Sequence, residues 1–339
     1  MQRLFLSVTG KAQAIAVIVI AGLVAAAAVG GWEWLWRERG FTPALYDDRD
    51  LWAAHRHRVV NVDQAHNFTV IGASRIQLAF STRAFEDTLP DWEATLLAIN
   101  GHYPVAVLED LAADEDFAGV LMVAVDARGL AHWHHDMSSP WVRHYHRDFG
   151  PQRRIERRLL TFLQQRLVVV GSPFNLVRRL EGWIENQPPP KSYTTLESDR
   201  TIAADYEQAD VPGLREHFTQ ALAADYEAHP PPSPGRWLSD LERIEQAVST
   251  IQERGGRVVF LRMPTADRHW QLDRENYPRE RYWDRLAEAT SATTIHFQDH
   301  PELANLELPD TSHIDQSDRA RFTRALVDIL NEHKVLPQR

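Results

Sequence analysis

Five short apolar segments, separated by stretches of helical periodicity, constrain the fold of this chain more than any other feature. They cover residues 68–71, 95–99, 120–125, 258–261 and 294–297. Each is rich in β-branched or aliphatic residues, as is typical of strands that are buried on both faces. Strands that alternate with helices form βαβ units, so the pattern predicts a parallel sheet between layers of helices.

A long region between the third and fourth segments interrupts this alternation, and we interpret residues 140–235 as an insert. Leucines and arginines interleave over 153–168, and such an amphipathic helix could lie on a membrane or a partner, or could pack against the sheet domain. Residues 191–206 are predicted to form a small hairpin that turns near 198–200. The remaining segments are a short tail (1–11), an anchor (12–32), a juxtamembrane segment (33–66), and the two parts of the sheet domain (67–139 and 236–339).

Segment 12–32 carries no charged residue and is long enough to cross the apolar core of a bilayer as a helix. Trp32, Trp34 and Trp36 lie at its end, as expected of the aromatic belt of a retained transmembrane anchor. Small residues at 25–28 would also suit a signal peptidase, so a cleaved signal peptide is the alternative. Basic residues flank the segment almost equally, and charge alone therefore does not fix its orientation.

Composition excludes several classes of function. The chain has 47 acidic residues against 37 Lys and Arg, a formal net charge of -10. It therefore lacks the diffuse basic surface that collects phosphates, and we expect no nucleic acid partner. The chain contains no Cys, which excludes a disulfide framework, a Cys-ligated metal site and a thiol nucleophile.

Two polar motifs follow the first and the last predicted strands. Ser74 lies at the carboxyl end of the first, where open parallel sheets bind ligands, although a serine there can also simply cap a helix. Asp310 precedes His313 by three residues, so the carboxylate can accept from one imidazole nitrogen and leave the other to take a proton. Because both strand ends meet at one edge, we predict that Ser74, His313 and Asp310 act as nucleophile, base and orienting carboxylate.

A histidine-dense stretch follows the third predicted strand, and paired imidazoles could bind zinc. The stretch has neither regular ligand spacing nor an accompanying pattern of carboxylates, so we expect no metal site and no cofactor. A metal-dependent activity built on this loop is a third hypothesis. We expect the loop to overhang the active face, where its side chains could contact a sugar. The histidines are His132, His134, His135, His144 and His146.

These motifs resemble those of the SGNH (GDSL-like) hydrolase superfamily, in particular its membrane-anchored branch associated with polysaccharide O-acylation. The resemblance covers about 67–136 and 236–330. It implies a flavodoxin-like α/β fold: a three-layer α/β/α sandwich with a five-stranded parallel sheet, here with an N-terminal transmembrane helix and a mostly helical insert. It implies a nucleophile at Ser74, an oxyanion-hole N–H at Gly101, and the Asp-x-x-His pair at Asp310 and His313.

The sequence departs from the family pattern at two positions. Ala73 replaces the Asp that usually precedes the nucleophile, and Asp126 stands where the family has an oxyanion-donating Asn. An ionised Asp126 cannot donate a hydrogen bond. The oxyanion hole is therefore expected to consist of the N–H groups of Ser74 and Gly101, with Asn100 as an additional candidate donor.

The sequence thus predicts a membrane-tethered, extracytoplasmic serine esterase or O-acyltransferase that acts on an acylated glycan. We expect a single-pass protein of the bacterial inner membrane with a periplasmic domain. The resemblance implies an acylated polysaccharide, or another acyl donor or acceptor, as substrate and a multispanning membrane O-acyltransferase as partner. Candidate substrate contacts are Arg75, His102 and Trp133, although Arg75 could instead pair with a carboxylate at the core edge. The missing Asn supports the alternative, a weakly active or inactive scaffold that recruits such a partner or a glycan.

Overall fold

The chain forms two compact units. The computed structural model describes residues 8–171 and 192–336, together with residues 174, 179, 182 and 184. The first unit, here the anchor unit, comprises Met1–Tyr46 and Arg158–Lys191, and the second, the sheet unit, comprises Asp47–Arg157 and Ser192–Arg339. The segment interpreted as an insert, 140–235, therefore contributes to both units.

Five parallel strands form the centre of the sheet unit. Numbered in chain order, the strands are β1 Asn67–Gly72, β2 Glu93–Leu96, β3 Val120–Ala124, β4 Thr194–Leu196, β5 Ile202–Ala204, β6 Arg257–Arg262 and β7 Thr293–His296. The parallel sheet has the order β2-β1-β3-β6-β7, while β4 and β5 form a separate antiparallel pair. All five predicted strands are confirmed. The second strand ends before the apolar segment 95–99 does, although Leu97 and Ile99 still donate their N–H groups to carbonyls of β1.

Helices of the sheet unit connect these strands and flank the sheet. The α-helices are α1 Val8–Glu38, α2 Arg49–Val59, α3 Ser74–Ala79, α4 Thr82–Thr88, α5 Val105–Ala113, α6 Ser139–Arg147, α7 Pro151–Gln164, α8 Val211–Ala228, α9 Pro234–Glu253, α10 Asp267–Asn276, α11 Trp283–Ala289, α12 Pro301–Ala304 and α13 Arg319–Glu332.

Alternate residues of each strand face two separate apolar cores. Val123 of β3 packs in one core with Trp52 of α2, and α5 and α9 contribute to the same core. Its neighbour Met122 packs in the other core with Phe322 of α13, together with residues of α3 and α4. Because side chains alternate along a strand, the sheet lies between two helical layers. The predicted three-layer α/β/α sandwich is confirmed.

The antiparallel pair β4–β5 lies within the segment for which the sequence predicts a hairpin, and Arg200 fixes it to the edge of the sheet. Arg200 adopts a φ of +69° at the turn. Its fully buried guanidinium donates to Leu96 O at 3.0 Å and Ala98 O at 2.9 Å, and it also pairs with Asp47 at 2.8 Å. The hairpin is therefore tied to the chain that leaves β2, where loop residues of the functional site begin.

Helix α1 dominates the described part of the anchor unit. It has 31 residues, and it is long and apolar enough to cross a membrane. Side chains from 12 to 31 are exposed. An apolar helix without protein cover is what a bilayer-spanning anchor requires. The end of α1 is covered, because Trp36 forms a buried apolar cluster with Val168 and Phe174 of the same unit.

Candidate active site

Ser74 lies where β1 ends and α3 begins, at the carboxyl edge of the sheet. Gly72, two residues earlier, has a φ of +157°, and a Cβ there would lie 2.6 Å from Ile76 Cγ2 and 2.8 Å from Ala124 O. Only glycine permits so close an approach of the strand to its neighbours, and it allows the chain to turn directly into α3. Ser74, the first residue of α3, is left partly exposed at this edge.

A continuous chain of hydrogen bonds joins Ser74 to a histidine and a carboxylate that follow β7. Ser74 Oγ lies 2.8 Å from His313 Nε2, and His313 Nδ1 lies 2.9 Å from Asp310 Oδ2. The carboxylate accepts from Nδ1–H, which leaves Nε2 to accept from the serine hydroxyl. The structure thus brings together the three residues that the sequence singles out as nucleophile, base and orienting carboxylate.

The Asp310 carboxylate is fully buried and accepts hydrogen bonds on both oxygens. Its Oδ1 accepts from the N–H groups of Ser312 at 3.0 Å and His313 at 2.7 Å. Its Oδ2 accepts from the Tyr206 hydroxyl at 2.6 Å. Burial tends to raise the pKa of Asp310, but hydrogen bonds and charge from His313, with the Tyr206 hydroxyl, outweigh it and lower the pKa to about 2. Asp310 is therefore an anionic acceptor at neutral pH.

Tyr206 is a member of this chain of hydrogen bonds that sequence motifs do not reveal. It lies in a short helical turn after β5, and its side chain packs beside Leu78 and Ile202. Burial and the hydrogen bond to Asp310 raise the pKa of Tyr206, so its hydroxyl stays a donor. A tyrosine after a hairpin carries no local signal of such a role, because only the tertiary fold brings it to Asp310.

A cavity of about 320 Å³ opens beside Ser74 and His313. Helix α8 supplies much of its apolar wall, and the Phe218 ring lies 5.2 Å from the His313 ring. Such a pocket combines an apolar surface with a few polar groups, as is typical of small-ligand sites. The main apolar contributors are Val125, Met137, Phe218, Ala221, Leu222 and Met263.

The loop after β2 brings two predicted site residues to this cavity. Gly101 has a φ of +71°, a left-handed conformation that favours glycine, and it lines the cavity together with His102. Asn100 is exposed and lies outside the set of lining residues. Trp133 also lies outside this set, and its ring packs 3.8 Å from that of His132. The cavity therefore brings Gly101 and His102, but not Asn100 or Trp133, to the same space as Ser74.

Arg75 follows the serine and connects three parts of the site. Its Nη1 donates to Asp126 Oδ2 at 2.9 Å, its Nε donates to Ser312 Oγ at 3.1 Å, and its Nη2 donates to His269 Nε2 at 2.8 Å. The sequence leaves two roles open for Arg75, contact with the substrate or pairing with a carboxylate at the core edge. In the structure it pairs with a carboxylate, that of Asp126. The guanidinium therefore couples the β1–α3 turn to the loop that carries His313.

Asp126 is a buried acceptor at the end of β3. Burial tends to raise its pKa, but the positive charges of Arg128 and Arg75 outweigh it and lower the pKa of Asp126 below its usual range. Its Oδ1 accepts from Gly129 N at 2.8 Å. Burial and the charge of Arg75 also lower the pKa of His269 to about 3, so that imidazole is neutral. An ionised Asp126 cannot donate to an oxyanion, as the sequence leads us to expect.

Most histidines of the dense stretch pair with acidic groups or backbone of the sheet unit. His132 bonds Asp240 at 2.9 Å, and His144 and His146 bond Asp50 and Asp110 at 2.6 and 2.5 Å. These contacts pin the loop and α6 to neighbouring elements. Only His134, among the five, lines the cavity.

A group of possible metal ligands does lie beside the cavity: His134, Asp225 and His229 place ligand atoms within 4.8 Å of one another. However, Arg128 Nη1 donates to Asp225 Oδ2 at 2.7 Å. A cation in this position would have to displace the guanidinium or tolerate its charge. Asp225 therefore already has an ion-pair partner, Arg128, within the protein.

Comparisons with known proteins add little to this geometry. No protein family and no curated protein matches the sequence. Solved structures that resemble the chain include the crystal structure of TesA, with a TM-score of 0.35 and 9% sequence identity, over 78% of this chain and 98% of that one. A likeness of this size carries no functional argument, so the functional argument rests on the residues themselves.

Proposed function

We propose that the protein is a membrane-tethered serine acyl esterase or O-acyltransferase that acts on an acylated glycan. The observation that carries the proposal is the hydrogen-bonded chain from Tyr206 through Asp310 and His313 to Ser74, which ends at an apolar cavity. A hydroxyl, an imidazole and a buried carboxylate in this order are the parts of nucleophilic acyl transfer.

In this mechanism Ser74 Oγ attacks the carbonyl carbon of an ester while its proton passes to His313 Nε2. The carbonyl π electrons move to oxygen, and the tetrahedral intermediate collapses when His313 returns the proton to the departing alkoxide. The acyl-enzyme is then attacked by water or a sugar hydroxyl, whose proton goes to His313. The second tetrahedral intermediate collapses with cleavage of the bond between the acyl carbon and Ser74 Oγ, and His313 returns the proton to Ser74. The anionic Asp310 stabilises the imidazolium that forms in each half of the reaction.

The N–H groups of Ser74 and Gly101 would bind the oxyanion. Asp126 stands where the SGNH superfamily, which the sequence resembles, has an Asn that donates to the oxyanion. Because Asp126 is ionised, the oxyanion hole has one donor fewer. Loss of one such donor typically costs about 100- to 1000-fold in kcat. We therefore expect turnover well below that of an esterase with a full set of donors.

Labelling with a fluorophosphonate probe tests this proposal in the purified, detergent-solubilised chain. We expect covalent modification of wild type and none of Ser74→Ala. Ser291→Ala, which alters an exposed serine after α11, is the matched control and should label as wild type does. If wild type has a native circular dichroism spectrum and does not react with the probe, the proposal of a serine esterase or O-acyltransferase is wrong.

The second candidate function is a scaffold that retains the fold and recruits a partner enzyme or a glycan. The observation in its favour is Asp126, whose carboxylate is engaged by Arg75 and by Gly129 N. A scaffold keeps its partner when Ser74 is replaced. Retention of glycan modification in cells that carry only Ser74→Ala would therefore favour the scaffold, and its loss would favour catalysis.

The resemblance is the ground for three parts of this proposal: the glycan substrate, the multispanning membrane O-acyltransferase partner and the periplasmic location. The apolar helix α1 supports the membrane tether. Orientation is testable with a C-terminal alkaline phosphatase fusion, which is active only outside the cytoplasm. We expect high phosphatase activity in the membrane fraction. Hydrolysis and transfer are separable by supplying an acetyl ester with and without oligosaccharide acceptors and weighing the products by mass spectrometry.

A further inference from the structure

Helix α7 exposes large apolar side chains that no described part of the protein covers. Leu159 is 59% exposed and Phe162 is 50% exposed, and Ile155, one turn earlier, is 69% exposed. Positions 155, 159 and 162 lie on one face of a helix because they are separated by four and three residues. Among the described residues outside the apolar part of α1, most exposed large apolar side chains lie on this one helix.

The residues after this face are fixed to the end of α1 within the anchor unit. The Glu33 carboxylate accepts from Val168 N at 3.0 Å and Val169 N at 3.1 Å. Arg37 Nη2 donates to Arg166 O at 2.6 Å. These bonds hold the segment that follows α7 beside the aromatic end of α1, where an anchor would leave the apolar core of a bilayer.

Phe162 lies close to this attachment. The Arg166 guanidinium lies 3.8 Å from the centre of the Phe162 ring, and its Nη1 donates to Phe162 O at 3.2 Å. Because Arg37 donates to the backbone carbonyl of Arg166, the chain that follows α7 lies beside the end of α1. Phe162 is four residues, about one helical turn, before this attachment.

The charges on this segment suit an anionic surface. Residues 151–166 contain five arginines and one glutamate, in a chain whose formal net charge is -10. Arg153 and Arg157 pair with Asp50 and Asp48 of the sheet unit. Arg158 and Arg166, which flank the apolar residues, are exposed. Exposed arginines beside an apolar face are the pattern of helices that lie on membranes with anionic lipids.

We propose that the C-terminal half of α7 is an interfacial helix, which buries Leu159 and Phe162 at the headgroup boundary of an anionic bilayer and sets Arg158 and Arg166 against lipid phosphates. The inference rests on the anchoring role proposed for α1. It gives the anchor unit two contacts with the bilayer, so that the unit has a fixed orientation instead of swivelling on one helix.

The chain lacks cysteine, so single cysteines can be labelled without background. We would label Leu159→Cys with an environment-sensitive fluorophore in the full-length protein, reconstituted into vesicles of phosphatidylcholine with phosphatidylglycerol. Ala26→Cys, within α1, reports insertion of the anchor, and Asn331→Cys, an exposed polar position of α13, gives a reference for water. Lipids with a spin label near the headgroup or deeper in the acyl chain serve as quenchers.

We expect blue-shifted emission at Leu159→Cys and at least a twofold loss of fluorescence with the headgroup-proximal quencher, whereas Ala26→Cys responds most to the deep quencher. Arg158→Gln with Arg166→Gln should reduce the quenching at position 159 and leave that at position 26 unchanged. Quenching at 26 with water-like emission at 159 overturns the interfacial helix and leaves the anchor intact. Absence of quenching at 26 overturns both the anchor and this inference.

Discussion

The Tyr206 hydroxyl donates a hydrogen bond of 2.6 Å to the same Asp310 oxygen that accepts from His313 Nδ1. Asp310 Oδ2 therefore has one donor three residues away, His313, and one distant in the sequence, Tyr206. The position of its carboxylate depends in part on the segment that follows the hairpin. A carboxylate fixed in this way also fixes the imidazole, since its oxygen selects both the tautomer and the tilt of the ring.

Replacement of Tyr206 by Phe tests this relationship. We expect kcat to fall about tenfold, equivalent to roughly 1.4 kcal/mol of transition-state stabilisation, with little change in KM. Steady-state kinetics with an aryl acetate at pH 7.5 give both quantities. Tyr193→Phe, at a neighbouring ring of the same apolar cluster, is the control and should leave kcat unchanged.

Asp126 gives a second prediction, because the family resemblance makes Asn the expected residue there. Asp126→Asn removes a charge that neutralises Arg75 and Arg128. Breaking a buried ion pair typically costs about 3 to 5 kcal/mol, so we expect a loss of stability of that order and no gain in turnover. Urea unfolding measures the loss. Asp136→Asn, at a side chain that is 81% exposed, should change stability by less than about 0.5 kcal/mol. If Asp126→Asn were as stable as wild type and turned over faster, the Asn side chain would be acting as an oxyanion donor. The charge of Asp126 would then have no structural role.

The sheet and the serine–histidine pair could be predicted because their signals are local. Each buried strand is a short apolar run, Ser74 follows the end of one such run directly, and Asp310 and His313 form a local Asp-x-x-His pair after the last run. The start of helix α9 depends on a finer signal: it begins at Pro234 because Ser233 accepts from Arg236 N and caps it. An apolar pattern alone does not locate a cap that lies one turn before the first buried residue.

The remaining parts of the site could not be predicted because they depend on tertiary packing. Tyr206, Phe218 and His269 come from regions that local patterns describe only as hairpin or helix. Their roles arise where α8 and α10 pack over the carboxyl edge of the sheet. The role of Arg75 was similarly open, since a guanidinium after the nucleophile could reach substrate or Asp126 equally well along the sequence.

Two buried histidines predict how stability depends on pH. Burial and nearby arginines lower the pKa of His269 and of His296 to about 3, while the unfolded chain titrates near 6.5. Below about pH 6.5 these histidines bind protons in the unfolded state but stay neutral in the folded state. The free energy of unfolding therefore falls as pH decreases towards 3. Each histidine contributes a slope of up to about 1.4 kcal/mol per pH unit.

Urea unfolding at intervals between pH 7.5 and 4 measures this dependence. The free energy of unfolding should be highest above pH 6.5 and decline steadily below it. His296→Phe removes one titrating group among the rings of Trp270 and Trp283, and it should make the decline shallower. A free energy of unfolding that is constant from pH 7 to 5 in wild type would contradict the assignment of both histidines as neutral buried groups.

The apolar wall from α8 predicts a dependence on acyl length. Phe218, Ala221 and Leu222 line the cavity that opens beside Ser74, so a bulky side chain on this wall removes space that an acyl chain would occupy. We expect Ala221→Trp to retain activity on an acetyl ester and to lose at least about tenfold in kcat/KM on a hexanoyl ester, a difference of roughly 1.4 kcal/mol in transition-state binding. Ala224→Trp, at an exposed position of the same helix outside the cavity, is the matched control for helix stability. If both variants show the wild-type ratio of the two esters, the acyl group does not occupy this wall, and the cavity would instead hold the acceptor side of the substrate.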